Sequence, residues 1–159
     1  MYRIGQSTDI HRLVSDRKLI LGGVEIPFEK GLLGHSDADV LLHAIAEAIL
    51  GALALNDLGC LFPDNDIKNK DISSMVILSK VYELMNEKGY QINNIDSLVI
   101  IEKPKLRDYI DKMKENIANT LHTDISNINV KATCSEQMGF VGRQEGAIAQ
   151  AIVLLKKVG

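Results

Sequence analysis

The fold is decided by residues 34–55, which read GHSDADVLLHAIAEAILGALAL. Alanine, leucine and isoleucine dominate this stretch from Ala38 onward, and these residue types favour a helix. Ser36 stands at the expected N-cap, and Asp39 follows three residues later in the manner of a capping box. Apolar residues cover most of the circumference, so the pattern predicts a helix to about residue 55 that is buried on nearly every side.

One polar line interrupts this predicted helix. Asp39, His43 and Glu47 are four residues apart and therefore share one helical face. Polar groups on a buried helix need hydrogen-bond partners. Either the three side chains bond with one another, which makes His43 a satisfied core histidine, or they serve a functional site.

The composition indicates one domain spanning residues 1–159, with 46% hydrophobic and 25% charged residues. The net charge of −3 and the lack of a basic run argue against nucleic acid as the main partner. No apolar run is long enough to span a membrane. Residues 1–7 lack the apolar segment of a signal peptide, so we expect a cytoplasmic protein in which Cys60 and Cys134 are free thiols.

The remaining elements are predicted from hydrophobic periodicity and turn residues. Strands are expected at residues 2–10, 18–21, 24–28, 95–102, 128–133 and 147–155, and further helices at 73–88 and 106–121. Residues 31–34 are interpreted as a flexible lead into the central helix, 56–66 as an ordered loop and 134–146 as irregular. This order predicts an α+β fold with one mainly β sheet on which helices pack.

Three residues on the predicted elements are potential metal ligands. Asp9 and His11 are two residues apart on a predicted strand and point to the same side, while His43 lies on the central helix. One carboxylate and two imidazoles with an open fourth position suit catalytic zinc, and also Mn²⁺ or Fe²⁺. Asp39 or Glu47 would then fix the tautomer of His43. The plainer interpretation is three unrelated polar residues.

Other polar residues suit an anionic ligand. His35 precedes a helix N-terminus, where amides favour anions, and either donates to a phosphate oxygen or faces water. Glu136, or the acids of residues 64–66, would hold a hard cation such as Mg²⁺, although the latter three are also ordinary turn formers. Basic side chains that matter only if they cluster in space are Lys103, Lys105, Arg107, Lys131 and Arg143.

Several motifs follow one another along the chain: Asp9-Ile10-His11, residues 34–44, Asp57-Leu58-Gly59, Phe62-Pro63-Asp64, and Lys131-Ala132-Thr133 through residues 139–146. Together they closely resemble the 2-C-methyl-D-erythritol 2,4-cyclodiphosphate synthase family of the non-mevalonate isoprenoid pathway, over essentially the whole chain. The resemblance implies a homotrimeric phosphorus–oxygen lyase with active sites at subunit interfaces. Its substrate would be 4-diphosphocytidyl-2-C-methyl-D-erythritol 2-phosphate, and its products the cyclic diphosphate and CMP.

The resemblance also implies roles for individual residues. Asp9, His11 and His43 match ligands of Zn²⁺ (or Mn²⁺), Glu136 matches a ligand of Mg²⁺ that bridges the diphosphate, and His35 and Cys134 match catalytic positions. The implied substrate-binding positions are Asp9, Ile10, His11, His35 and Ser36 near the metal; Asp57, Leu58 and Gly59 for the methylerythritol part; Phe62, Pro63, Asp64, Asn65 and Asp66 in a neighbouring loop; Ile101, Glu102, Lys103, Pro104, Lys105, Leu106 and Arg107 for cytidine; Thr133, Cys134, Ser135 and Glu136 for the diphosphate; and Phe140 and Arg143 near the trimer axis.

One position departs from the family pattern, which usually has a run of threonines before the glutamate. This chain has Thr133-Cys134-Ser135-Glu136 instead. A thiol is a weaker hydrogen-bond donor than a hydroxyl. If the backbone amide of Cys134 makes the substrate contact, the change matters little; if the side chain does, turnover is slower.

Two other functions use the same residues. A zinc phosphohydrolase would keep the metal site but would use water as the attacking group, which gives a linear phosphate product. A non-enzymatic trimeric binding protein would use an axial pocket for a small ligand and would not release CMP.

Overall fold

Two long antiparallel strands run through the centre of the molecule. The computed structural model describes residues 1–159, and β1 and β7 pair in it from Tyr2 with Lys156 to Arg12 with Gly146. The five-stranded sheet has the order β4-β1-β7-β5-β6, in which only the β5–β6 pair is parallel. The strands are β1 Tyr2–Ser15, β2 Leu19–Leu21, β3 Val24–Ile26, β4 Lys30–Leu33, β5 Tyr90–Ile100, β6 Ile128–Thr133 and β7 Gly146–Lys157, and β2 and β3 form a separate hairpin.

Helices pack on one face of this sheet and form the core with it. The helices are α1 Val40–Ala52, α2 Leu58–Leu61, α3 Ser74–Glu87, α4 Ile110–Thr120 and α5 Gly139–Gly142. The central helix α1 lies so close to β1 that a Cβ at Gly5 would stand 1.9 Å from the carbonyl oxygen of Ala48. Ten of the thirteen residues of α1 are buried, which confirms the prediction of a helix enclosed on nearly every side.

The start of α1 differs from the prediction. Asp39, not Ser36, is the N-cap, and its carboxylate accepts from the amide of Leu42 at 3.0 Å. The chain makes a turn at Ala38, whose φ is 57°, so the residues before it are outside the helix. Ser36 instead accepts from the amide of Ala38 at 3.0 Å. The helix also ends at Ala52, three residues before the predicted end.

Most other elements are found where the sequence predicts them, with shifted ends. The C-terminal segment is a strand, as its β-branched residues indicated, but it extends over Gly146–Lys157. The predicted flexible lead at residues 31–34 is wrong, because Lys30–Leu33 pairs with β1 and forms the edge of the sheet. The loops at 56–66 and 134–146 contain the one-turn helices α2 and α5.

The second face of the sheet carries no helix. Alternate residues of β1 point to this face and are exposed, among them Ile4 at 71% and Ile10 at 56%. Ile152 of the neighbouring strand β7 is 53% exposed on the same side. The α+β prediction is therefore confirmed, with helices covering a single face. None of the helices combines the length and the apolar character needed to cross a membrane.

Candidate active site

Three side chains from two elements converge beside the central helix. Asp9 and His11 project from the same face of β1 and meet His43, which projects from α1. Asp9 Oδ2 lies 3.0 Å from His11 Nε2 and 3.3 Å from His43 Nδ1. One ligand atom from each residue can be chosen so that all three lie within 4.8 Å of one another. The structure thus brings together the three residues that the sequence singled out as metal ligands.

The edge strand β4 orients the ring of His11. His11 Nδ1 lies 2.8 Å from the carbonyl oxygen of Leu33, the last residue of that strand. A carbonyl only accepts, so Nδ1 carries the hydrogen and Nε2 faces Asp9. The backbone therefore fixes which nitrogen of His11 is presented to the centre of the site.

Two serines lie on the far side of the His43 ring. Its Nε2 is 2.9 Å from Ser74 Oγ and 3.1 Å from Ser36 Oγ, while Nδ1 faces Asp9. Ser74 begins α3 and is fully buried. Both imidazoles of the site are thus anchored through the nitrogen that points away from Asp9.

The close contacts shift the pKa of two of these groups. Burial raises the pKa of Asp9, but hydrogen bonds and charge from His11 and His43 outweigh it and lower the pKa from 3.8 to about 2. Burial lowers the pKa of His11, yet the hydrogen bond and charge of Asp9, with the Leu33 carbonyl, raise it above 6.5 overall. Asp9 and His11 therefore favour a carboxylate–imidazolium pair when no metal is held between them.

The three residues fit a divalent metal. Their ligand atoms converge, and each imidazole has its other nitrogen hydrogen-bonded, which is the usual arrangement for metal-bound histidine. A carboxylate with two imidazoles leaves a fourth tetrahedral position open. A metal would replace the proton that His11 and Asp9 share, and its positive charge would offset the cost of burying the Asp9 carboxylate.

The predicted partners of His43 on its own helix are wrong. Asp39 accepts from the amides of Gly22 and Gly23 at 3.0 and 2.8 Å, so it ties the β2–β3 turn to the start of α1. Burial raises the pKa of Asp39 to about 6, although the amides of Gly23, Leu42 and Gly22 oppose that rise. The other acid on this face, Glu47, accepts from Ser7 Oγ at 2.9 Å and from the amide of Leu58 at 3.3 Å. Neither carboxylate hydrogen-bonds to the imidazole of His43.

A cavity of about 310 Å³ opens beside the three ligands. Nε2 of His35, which lines this cavity, is buried and has no hydrogen-bond partner, so it is free to meet a ligand. The cavity also contains Glu47 and Asn69, which the sequence did not single out as binding residues. The predicted site residues that line it are Asp9, His11, His35, Ser36, His43, Leu58, Gly59, Phe62 and Asp64.

A second cavity, of about 710 Å³, lies between the end of β5 and the end of β6. It shares no lining residue with the first cavity. The predicted residues that line it are Ile101, Glu102, Pro104, Lys105, Leu106, Arg107, Thr133 and Cys134. The predicted residues that line neither cavity are Ile10, Asp57, Pro63, Asn65, Asp66, Lys103, Ser135, Glu136, Phe140 and Arg143.

The loop after β6 has a fixed backbone and an exposed acidic side chain. Glu102 accepts from the amides of Gln137 at 2.8 Å and Ser135 at 3.2 Å. Glu136 itself is exposed, and Cys134 Sγ is 3.8 Å from its carboxylate. The φ of Glu136, 54°, lies in the left-handed region.

Comparison with known proteins agrees with this fold. The model of the YgbB family matches residues 2–156, which is nearly the whole chain. The chain therefore belongs to the YgbB family.

Relatives of high identity carry one enzyme name. The chain is 64% identical over 155 residues to 2-C-methyl-D-erythritol 2,4-cyclodiphosphate synthase of Finegoldia magna, covering 98% of each chain. Among solved structures it is similar to Plasmodium falciparum IspF in complex with CDP, with a TM-score of 0.88, 35% identity and coverage of 99% and 97%. It also matches the bifunctional IspDF of Campylobacter jejuni, with a TM-score of 0.95 and 44% identity, over 99% of this chain and 42% of that one.

Proposed function

We propose that this chain is a phosphorus–oxygen lyase of the non-mevalonate isoprenoid pathway. It converts 4-diphosphocytidyl-2-C-methyl-D-erythritol 2-phosphate into 2-C-methyl-D-erythritol 2,4-cyclodiphosphate and CMP. The observation that carries the proposal is the Asp9–His11–His43 cluster, in which hydrogen bonds to Leu33 and Ser74 orient the two imidazole rings. The cluster opens to a cavity that His35 also lines, and Nε2 of His35 has no hydrogen-bond partner. The relative at 64% identity, which carries the name of this synthase, supports the substrate.

The reaction is an intramolecular phosphoryl transfer. An oxygen of the 2-phosphate attacks the β-phosphorus, the bond from that phosphorus to the α-phosphate oxygen breaks, and CMP leaves with the bonding electrons. No protein nucleophile is needed, so the protein contributes positioning and charge stabilisation. A divalent metal, when bound, supplies Lewis-acid polarisation of the phosphate.

The residues of the chain divide these tasks. His35 offers its unpartnered Nε2 to a phosphate oxygen in the first cavity. Apolar side chains on that cavity wall, such as Phe62 and Ile72, restrict the access of water to the β-phosphorus. Exclusion of water decides the product, because attack by water would give a linear phosphate.

We assign the metals by their ligand types. Two imidazoles and one carboxylate favour Zn²⁺, or Mn²⁺, at Asp9, His11 and His43. The free carboxylate of Glu136 suits Mg²⁺, which keeps several waters and binds through one or two carboxylates and substrate phosphates. The metal assignment is tested by the metal content of the purified protein and by the restoration of activity after chelation.

We also propose that the active protein is a homotrimer whose copies complete each other's sites. The helix-free face of the sheet exposes large apolar side chains, Ile4, Ile10 and Ile152, that a second copy would cover. The two cavities divide the predicted substrate positions between them without sharing a residue. A metal-binding cavity from one copy and a nucleotide-binding cavity from the next would form one site.

Subunit complementation tests this arrangement. Asp9→Asn disables the first cavity and Lys105→Glu the second, and each variant alone should be nearly inactive. In differently tagged, co-expressed mixtures, random pairing of the two variants should leave about a quarter of the sites intact. Mixed trimers without any recovered activity would contradict a site that is shared between copies.

CMP release tests the proposed function. Wild-type protein with Zn²⁺, Mg²⁺ and the substrate should release CMP, detected by anion-exchange chromatography, and Asp9→Asn should not. His122→Ala is the matched control, since His122 is exposed and stacks on Tyr82 at 4.5 Å instead of lining the cavity. Equal rates in Asp9→Asn and the control would contradict the proposal.

A further inference from the structure

A buried hydrogen-bond chain ends on the nitrogen of His43 that points away from the metal position. Ser74 Oγ lies 2.9 Å from His43 Nε2 and also hydrogen-bonds to Asp37 Oδ1. The second oxygen of Asp37 accepts from the amide of Ser74 at 3.0 Å. Ser74 is 0% exposed, so water cannot substitute for these contacts.

The direction of each hydrogen bond follows from the groups present. A carboxylate offers only acceptors, so the hydroxyl of Ser74 donates to Asp37. The Ser74 oxygen is then left with lone pairs toward His43, and Nε2 of that ring must carry the hydrogen. Nε2 therefore donates to Ser74, which leaves Nδ1, the atom 3.3 Å from Asp9 Oδ2, as the nitrogen available to a metal.

Ser36 touches the same nitrogen but has a different hydrogen-bond pattern. Its oxygen lies 3.1 Å from His43 Nε2 and accepts from the amide of Ala38. Ser36 lines the first cavity, whereas Ser74 does not. The hydroxyl hydrogen of Ser36 is therefore available to a ligand, while that of Ser74 is committed to Asp37.

We propose that Asp37 and Ser74 are positioning residues that hold His43 in the Nε2–H tautomer, so that Nδ1 is presented to the metal. The inference rests on the metal site of the proposed function and adds two residues to it. The first residue of α3 carries the hydroxyl, and the loop before α1 carries the acid. Neither residue lines the first cavity.

The tautomer is measured directly in the metal-free protein. Long-range ¹H–¹⁵N NMR of ¹⁵N-histidine-labelled protein distinguishes the protonated ring nitrogen from the unprotonated one. His43 is assigned by comparison with His43→Gln. Wild type should show His43 protonated at Nε2, and Ser74→Ala should show a mixture of the two tautomers.

Metal affinity provides the second measurement. Removing a group that orients a metal-bound histidine lowers the metal affinity of the protein by roughly 10–100-fold. We therefore expect Ser74→Ala to lose Zn²⁺ affinity in this range, as measured by competition with a chelator. Asp37→Asn, which keeps one acceptor oxygen for Ser74, should lose less. Ser74→Thr keeps the hydroxyl and should restore both the tautomer and the affinity.

Ser73→Ala is the matched control. Ser73 is the adjacent, exposed residue, and it caps α3 by accepting from the amide of Met75 at 3.2 Å. Its loss weakens the same helix end without touching His43. Ser74→Ala with the tautomer and the Zn²⁺ affinity of Ser73→Ala would overturn the inference, whereas a wild type that binds no Zn²⁺ would overturn the proposed metal site itself.

Discussion

The two cavities differ in how completely this chain builds them. In the first, the side chains of Asp9, His11 and His43 are only 24%, 19% and 14% exposed, and each is hydrogen-bonded in place. In the second, Cys134 is exposed, as is Glu136 in the loop beside the cavity, although Glu102 fixes the backbone around them. The chain thus preorganises the metal-binding half of the site and leaves the other half to be completed by substrate, by a second cation or by a neighbouring copy.

Removal of a ligand from the preorganised cavity should have the largest effect. His43→Ala should abolish binding of the first metal and reduce CMP release by roughly a thousandfold, since metal-ion polarisation is worth several kcal/mol. Metal content and kcat measured on the same preparation check this. Size-exclusion chromatography should show an unchanged oligomer, and full activity in metal-stripped His43→Ala would contradict the proposed division of tasks.

The pH dependence of stability sharpens the same comparison. In the metal-free protein, the pKa of Asp9 is lowered to about 2. Its contribution to the free energy of unfolding is therefore fully present above pH 3.8 and is lost as the pH falls toward 2. The pKa of His11 is raised above 6.5. Its contribution to the free energy of unfolding is therefore fully present below pH 6.5 and is lost as the pH rises through the raised pKa. The Asp9–His11 pair should therefore stabilise the metal-free fold most between these two limits.

Urea unfolding in the presence of a chelator, at a series of pH values, tests this pH range. The difference in unfolding free energy between wild type and Asp9→Asn should be largest near the middle of the range and about 2 kcal/mol smaller at strongly acidic pH. With Zn²⁺ present the trend above neutrality should reverse, because the metal must displace the proton of His11. A difference that does not change with pH would show that the pair is not ionised as described.

Glu136, in the loop beside the second cavity, tests the proposed Mg²⁺ site. Glu136→Gln removes a charge from an exposed loop, so the fold should be unaffected and the Mg²⁺ concentration for half-maximal activity should rise roughly tenfold, as about 1.4 kcal/mol of lost binding produces. Asp111→Asn on the exposed face of α4 serves as a control for the loss of one negative charge. An unchanged Mg²⁺ titration in Glu136→Gln would remove this residue from the metal assignment.

Cys134 should give the smallest effect. Cys134→Thr restores the hydroxyl that the family usually has, and a hydroxyl donates a stronger hydrogen bond than a thiol. We expect kcat to rise by roughly threefold, which corresponds to the lower end of a hydrogen bond's net contribution. Pre-steady-state measurement of CMP formation separates this change from product release, and a lower rate would indicate that the site is adapted to the thiol.

The sequence predicted the metal ligands because their signals are local. Alternation along β1 places Asp9 and His11 on one face, and the enclosed helix α1 forces His43 to find a polar partner. The orienting groups were missed because they come from distant segments. Leu33 belongs to an edge strand that was interpreted as a flexible lead, and Ser74 is 31 residues from His43 at the start of another helix.

The fold shows the same division between local and distant information. Helical periodicity located α1, α3 and α4 to within a few residues, but the capping residue of α1 was misplaced. Ser36 and Asp39 are both good capping residues, and the choice was decided by the left-handed turn at Ala38 and by the β2–β3 amides that Asp39 also binds. Those contacts depend on the packed structure and leave no trace in a single sequence.

The product of the reaction tests the central claim most directly, namely that the preorganised cavity directs an internal phosphate, and not water, to the β-phosphorus. Phosphorus NMR of the purified protein with 4-diphosphocytidyl-2-C-methyl-D-erythritol 2-phosphate, Zn²⁺ and Mg²⁺ identifies both products in one spectrum. We predict the coupled resonances of a cyclic diphosphate together with CMP. A linear phosphate with CMP, or no release of CMP, would contradict the account.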